Sequence, residues 1–177
     1  MVEIIGVIFT LLYVFLIIKN NVIAWPFGII GCIAYFIIFL QQGLVLDSMT
    51  QIVFIVQCII GWWNWKRPEK EFPLSWSRKR NTMVLISITI LICLSLSIIS
   101  TLIGGKMSIL DGLTTSMSIT GTYLLTKKKI DSWVYWIIVD SVFIFLFWIS
   151  GLYLSSCLYL VLLIMAIIGL RRWISLK

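Results

Sequence analysis

Two indoles and a carboxylate, Trp133, Trp136 and Asp140, stand at spacings of three and four residues. On a helix that spacing puts all three on one face. The surrounding residues, 133–149, are apolar enough to cross a bilayer. A carboxylate at membrane depth costs roughly 2.5–3.5 kcal/mol on insertion scales, so such residues face a partner, a cavity or a substrate. Aromatic faces beside a carboxylate suit a cationic or flat aromatic solute. The competing reading for the two tryptophans is an aromatic belt at the membrane–water interface. For Asp140 it is a buried pair or a hydrogen bond to Ser or Thr of the preceding segment. A belt does not account for a carboxylate two turns into the span.

Other polar residues offer weaker candidates. Gln51, Gln57 and Asn64 lie on one apolar segment that ends in Trp62, Trp63 and Trp65. An amide donates and accepts at once, which suits a sugar hydroxyl or a carboxamide. Gln51 and Gln57 are both candidate substrate-binding residues, and the alternative for each is helix–helix glue of about 0.6–2 kcal/mol. Trp62, Trp63 and Trp65, beside Lys66 and Arg67, read as interface anchors. Asn20 and Asn21 precede Trp25-Pro26 and can cap the helix that Pro26 opens. Gln41 and Gln42 line an entrance or sit among headgroups.

The elements that must position these residues are membrane helices. The chain has 177 residues, 61% hydrophobic and 12% charged, against about half and a quarter in soluble domains. Seven apolar segments can be drawn: 2–18, 25–40, 49–65, 83–103, 111–125, 133–149 and 152–170. Continuous apolar runs favour helices over a barrel, which needs short alternating strands. The fifth segment holds Gly112, Thr114, Thr115, Ser116, Ser118, Thr120 and Gly121, a composition for close packing between neighbours rather than for lipid. Residue 3 is Glu and no small-residue cleavage site follows, so the first segment reads as a retained span.

The net charge of +7 does not signal nucleic-acid binding. Thirteen of the fourteen basic residues fall on one side of a seven-span topology: Lys19, the 66–80 stretch, Lys127–Lys129 and the tail with Arg171, Arg172 and Lys177. The other side holds only Lys106. The N-terminus is therefore expected outside and the C-terminus in the cytoplasm of a plasma (inner) membrane. The 66–80 stretch reads as an orienting loop against anionic lipid. The four cysteines, Cys32, Cys58, Cys93 and Cys157, form no CxxC pair and read as small buried hydrophobes. Histidine is absent, and the seven acidic residues lie mostly in loops. The chain thus lacks the parts of an integral-membrane enzyme; no catalytic residue, metal ligand or cofactor is expected.

The sequence repeats. Residues 25–65 slide onto 133–173 without a gap and about a third of positions match. Trp25 meets Trp133, Gly43 meets Gly151, Ser48 meets Ser156, Gly61 meets Gly169, Trp65 meets Trp173, and upstream Lys19 meets Lys127. A three-helix unit repeated in parallel needs one linking span. The expected organisation is an all-α integral membrane protein of seven helices in a 3+1+3 plan: residues 1–65, a basic loop and linking helix over 66–105, and 106–177. Parallel repeats occur in transporters that bind substrate near the repeat interface. A non-transporting scaffold or a channel is the competing class, but neither requires the repeat or the Trp-Trp-Asp face.

Several of these residues also carry a family resemblance. The run from Asp47 to Gln51 leading into Gly61-Trp62-Trp63-Asn64-Trp65, the pattern Trp133-x-x-Trp136-x-x-x-Asp140, and Gly151-Leu152-Tyr153 followed by Gly169 and Trp173 resemble the Pnu-type (PnuC-like) vitamin transporters, best known for nicotinamide riboside uptake. The resemblance implies the 3+1+3 fold, a homotrimer, and facilitated diffusion of an unphosphorylated vitamin that a cytoplasmic kinase then traps by phosphorylation. It implies substrate contacts from Trp133, Trp136 and Asp140, and extends to Gln51. Asp140 stands where the nicotinamide riboside members carry Asn, and Ile60 where Tyr often precedes Gly-Trp. Nicotinamide riboside is the expected substrate and thiamine the alternative, both being cations; neutral riboflavin fits a carboxylate less well.

Overall fold

A computed structural model describes residues 2–67, 73–102 and 109–177. Lys70 and Lys106, which enter the charge argument above, and the boundary expected at residues 105–106 lie outside the described residues. The described residues form seven helices: α1 Val2–Ile18, α2 Ala24–Gln41, α3 Val45–Lys66, α4 Lys79–Leu102, α5 Ile109–Thr126, α6 Asp131–Ile149 and α7 Tyr153–Ser175. Five of them, α2, α3, α4, α6 and α7, are long and apolar enough to cross a membrane. α1 is apolar but only 17 residues long. α5 is the polar helix foreseen in the sequence, and it is the most enclosed. Gly112, Thr114, Ser116, Ser118, Thr120, Gly121 and Thr122 are all buried. Their hydroxyls are satisfied by carbonyls one turn back, as in Ser118 to Thr114 (2.8 Å) and Thr122 to Ser118 (2.9 Å).

Six helices close a ring. α1 packs on α2, α2 on α3, α3 on α5, α5 on α6, α6 on α7, and α7 returns to α1. α4 packs against the outside of α5, where the Thr89 and Thr120 hydroxyls meet at 2.8 Å and Ser97 and Cys93 lie against Gly112. The described part of the α3–α4 connection is tied to the α5–α6 turn. Ser75 accepts from the Ile130 amide at 3.0 Å and from Lys129 Nζ at 2.7 Å, and Asp131 accepts from the Ser77 amide at 2.6 Å.

The 108-residue offset found in the sequence also relates the turns. After α2 and after α6 the chain reverses through Gly43 and Gly151, both at φ +73°. The Leu44 amide reaches the Phe39 carbonyl at 2.9 Å, and Leu152 reaches Phe147 at 2.9 Å. This is a helix stop that needs a left-handed residue, and glycine adopts that backbone without a Cβ clash. After α1 and α5 the same stop is made by Asn20 (φ 55°) and Lys128 (φ 52°). Partial burial pushes the Lys128 ammonium below its ordinary pKa, and the Trp65 ring face 4.8 Å away supports its charge.

One end of the ring is sealed by tryptophan. Trp25 lies on Gly61 and Trp133 on Gly169, where a Cβ would collide with the indole. Trp25 meets Trp65 edge-on at 5.3 Å, Trp133 meets Trp173 edge-on at 5.3 Å, and Trp65 and Trp173 approach each other at 6.2 Å. Trp25 and Trp173 are fully buried and Trp133 is 2% exposed. Trp65 therefore departs from the interface-anchor expectation. It is partly buried against the core, and its indole N–H donates to the Leu125 carbonyl at 3.2 Å. Trp62 and Trp63 are exposed, beside Lys66 and Arg67 as expected.

Candidate solute-binding cavity

Inside the ring is a cavity of about 500 Å³ lined by all six ring helices, within the range of small-molecule sites. Its sealed end is formed by Trp133, Ile17, Leu125, Cys58 and Ala166, all buried. At the other end its wall includes Glu3, Gln42, Asp47 and Ser155, from the exposed ends of α1, α2, α3 and α7.

Four of the five candidate residues meet here. Trp133, Trp136 and Asp140 line the cavity from α6, and Gln51 from α3. Helical spacing aims the three α6 side chains inward together. Trp133 rests on Gly169, and Trp136 runs along Gly121, where an added Cβ would lie 3.3 Å from its Nε1. Both indole N–H groups are buried and meet no acceptor among the described residues. A buried donor without a partner carries a cost of about 1–3 kcal/mol that a bound acceptor would remove. Asp140 is 3% exposed. Among the described residues it makes neither the ion pair nor the hydrogen bond to an α5 hydroxyl that the bland reading of the sequence allowed.

Gln57 is not part of the wall. Its amide nitrogen donates to the Ile119 carbonyl at 3.0 Å, tying α3 to α5. Asn64 acts likewise toward the Thr126 carbonyl at 3.4 Å. These are helix–helix contacts, the alternative the sequence had left open for Gln57.

The wall also contains residues that sequence reasoning missed. Cys32, one 108-residue offset from Asp140, is half-buried in the wall beside buried Cys58. Cys157 is exposed on the outer surface of α7, so two of the four cysteines are not plain core hydrophobes. Tyr13 lines the cavity with its hydroxyl buried and unpaired. Gln42 is at the mouth, the entrance reading rather than the headgroup one. Glu3 and Asp47 join Asp140 as lining carboxylates, and among the described residues no Lys or Arg lines the cavity. In a chain of net charge +7, three of the seven acidic residues line this one cavity.

A ring of helices, apolar apart from α5, around an acidic, aromatic cavity is the architecture of a multi-pass membrane transporter. The chain matches the family described as nicotinamide mononucleotide transporter over residues 1–175, and it belongs to that family. It is similar to the nicotinamide riboside transporter PnuC of Escherichia coli (strain K12), with 23% identity over 98% of this chain and 85% of the relative. The PnuC of Shigella flexneri matches equally. Among solved structures it resembles that of the vitamin B3 transporter PnuC, with a TM-score of 0.78, 18% identity, and coverage of 97% of this chain and 80% of the other.

Proposed function

We propose that this transporter takes up nicotinamide riboside by facilitated diffusion. The observation that carries the reading is Asp140: a buried carboxylate, without a counter-charge among the described residues, in a cavity walled by aromatic rings and carboxylates and by no basic group. A cationic heteroaromatic ring supplies that charge. Trp133 and Trp136 stack beside the ring and offer their free N–H groups to its hydroxyls or carboxamide, and Gln51 binds from α3, on the far side of α5 from α6. The names of the relatives support the same substrate. The family's own description names the phosphorylated form. A phosphate dianion would have to enter among Glu3, Asp47 and Asp140, where like charges disfavour it. The unphosphorylated nucleoside is therefore the better fit, and a cytoplasmic kinase would trap it after entry. Thiamine, also a flat cation, is the second reading and rests on the same three carboxylates.

In this reading all seven helices cross the plasma membrane, with the N-terminus outside and the basic, tryptophan-sealed end in the cytoplasm. The 3+1+3 plan is supported by the matched turns and by the paired contacts of α3 with α5 and of α7 with α1, which a two-fold axis along the membrane normal would exchange. Rocking of the two halves about those seams would expose the cavity to either side in turn. A homotrimer follows from the family resemblance.

The test is the thermal shift of the purified protein in detergent with nicotinamide riboside, nicotinamide mononucleotide, thiamine and riboflavin. Stabilisation by nicotinamide riboside that disappears in Asp140→Ala is the expected result. Stabilisation by thiamine alone would transfer the site to the second reading. Stabilisation by none of them would remove the vitamin reading.

A further inference from the structure

We infer that Tyr13 is the second aromatic wall of the binding site, facing Trp136 across the cavity and hydrogen-bonding the solute through its hydroxyl. The inference rests on the reading of the cavity as a solute-binding site, and it concerns a residue outside the Trp-Trp-Asp face. It follows from an exchange between the two repeats. At the 108-residue offset Tyr13 of α1 corresponds to Gly121 of α5, and Gly28 of α2 corresponds to Trp136 of α6. In the first unit the ring of Tyr13 lies on Gly28, where a Cβ would sit 2.9 Å from its Cδ2. In the second unit the ring of Trp136 lies by Gly121, where a Cβ would sit 3.3 Å from Nε1. The same ring-on-glycine contact is built twice, with the ring and the glycine swapped between the helices.

The swap sets the two rings at one depth on opposite walls. Tyr13 lies five residues before the last residue of α1, Ile18, and Trp136 five residues after the first residue of α6, Asp131. Those two helix ends both belong to the sealed end of the ring. Tyr13 lies at the α1–α2 seam and Trp136 at the α5–α6 seam, which are opposite in the ring order. Each ring presents one polar atom that is buried without a partner, the Tyr13 hydroxyl and the Trp136 Nε1. The hydroxyl can both donate and accept, whereas the indole only donates. Trp25, edge-on to Tyr13 at 5.8 Å, holds the phenol ring in place from the sealed end. The solute this geometry fits is a flat cation between two rings, with a group beside the ring that can meet both a donor and a hydroxyl. A ring carboxamide or a sugar hydroxyl meets that description.

The experiment is calorimetric titration of nicotinamide riboside into the purified full-length protein, with the ligand-free melting temperature recorded for every variant. Tyr13→Phe keeps the ring and removes the hydroxyl. It should weaken binding about tenfold, the loss of one hydrogen bond, with a ligand-free melting temperature no lower than that of the wild type, because an unpaired buried hydroxyl is removed. Gly28→Ala keeps the hydroxyl but forces the Tyr13 ring off its seat, and should weaken binding at least as much. Wild-type affinity in Tyr13→Phe overturns the hydroxyl's role, and wild-type affinity in Tyr13→Ala overturns the wall altogether. If Asp140→Ala abolishes binding while both Tyr13 variants retain it, the uptake reading stands and this inference falls. If the wild-type protein itself gives no heat with nicotinamide riboside, both fall together.

Discussion

In the proposed site Asp140 and Trp136 would act on the same solute through different physics, and their variants should separate. Removing the indole in Trp136→Ala deletes a cation–π contact of about 1–2 kcal/mol, equivalent to a roughly 5- to 30-fold loss of affinity. Removing the carboxylate in Asp140→Ala leaves a buried cation without a counter-charge, a larger loss. In cells, Asp140→Ala should abolish uptake of radiolabelled nicotinamide riboside and Trp136→Ala should reduce it severely, with both proteins present in the membrane fraction at normal level. Normal uptake by both would remove α6 from the site. The α6 face was legible in the sequence because a carboxylate in an apolar run has few innocent explanations. Gln57 was not, because an amide serves a substrate and a neighbouring carbonyl equally well. Tyr13 escaped notice for a sharper reason. A self-comparison that rewards identity scores Tyr against Gly and Gly against Trp as two mismatches, although together they preserve one contact.

At the level of the helices, paired glycines hold paired tryptophans. Gly61→Ala and Gly169→Ala each drive a methyl into an indole, Trp25 packed in the core in one case and Trp133 at the cavity wall in the other. Overpacking of this kind costs about 1–3 kcal/mol, and both variants should melt lower in detergent by similar amounts. Gly43→Ala and Gly151→Ala meet open space but keep φ +73°, so their cost is the left-handed backbone alone, about 1–2 kcal/mol. Gly61→Ala and Gly169→Ala melting like wild type would mean that the tryptophans repack freely. All seven segments and the special character of α5 were readable from hydropathy and small-residue content, with ends shifted by a few residues. The tryptophan seal was not. At a helix end next to lysine, an indole bound for the core and one bound for the headgroups have the same local sequence, as Trp65 and Trp63 show.

Across the described residues, charge is sorted twice: basic residues toward one end, and three of the chain's seven carboxylates into the cavity. The second sorting predicts that nicotinamide mononucleotide neither stabilises the protein nor competes with the riboside, and competition at similar concentration would contradict it. The first predicts that a C-terminal tag is reached by protease only after the cells are opened. Protease access in intact cells would invert the topology. The tryptophan seal has one more consequence, and it is optical. Four of the nine tryptophans sit in one linked cluster at the closed end, three of them buried and Trp65 partly so. Any cycle that lets solute out at that end must wet those indoles, so the protein's own fluorescence shifts to longer wavelength each time the gate opens, and the transport cycle carries its own reporter.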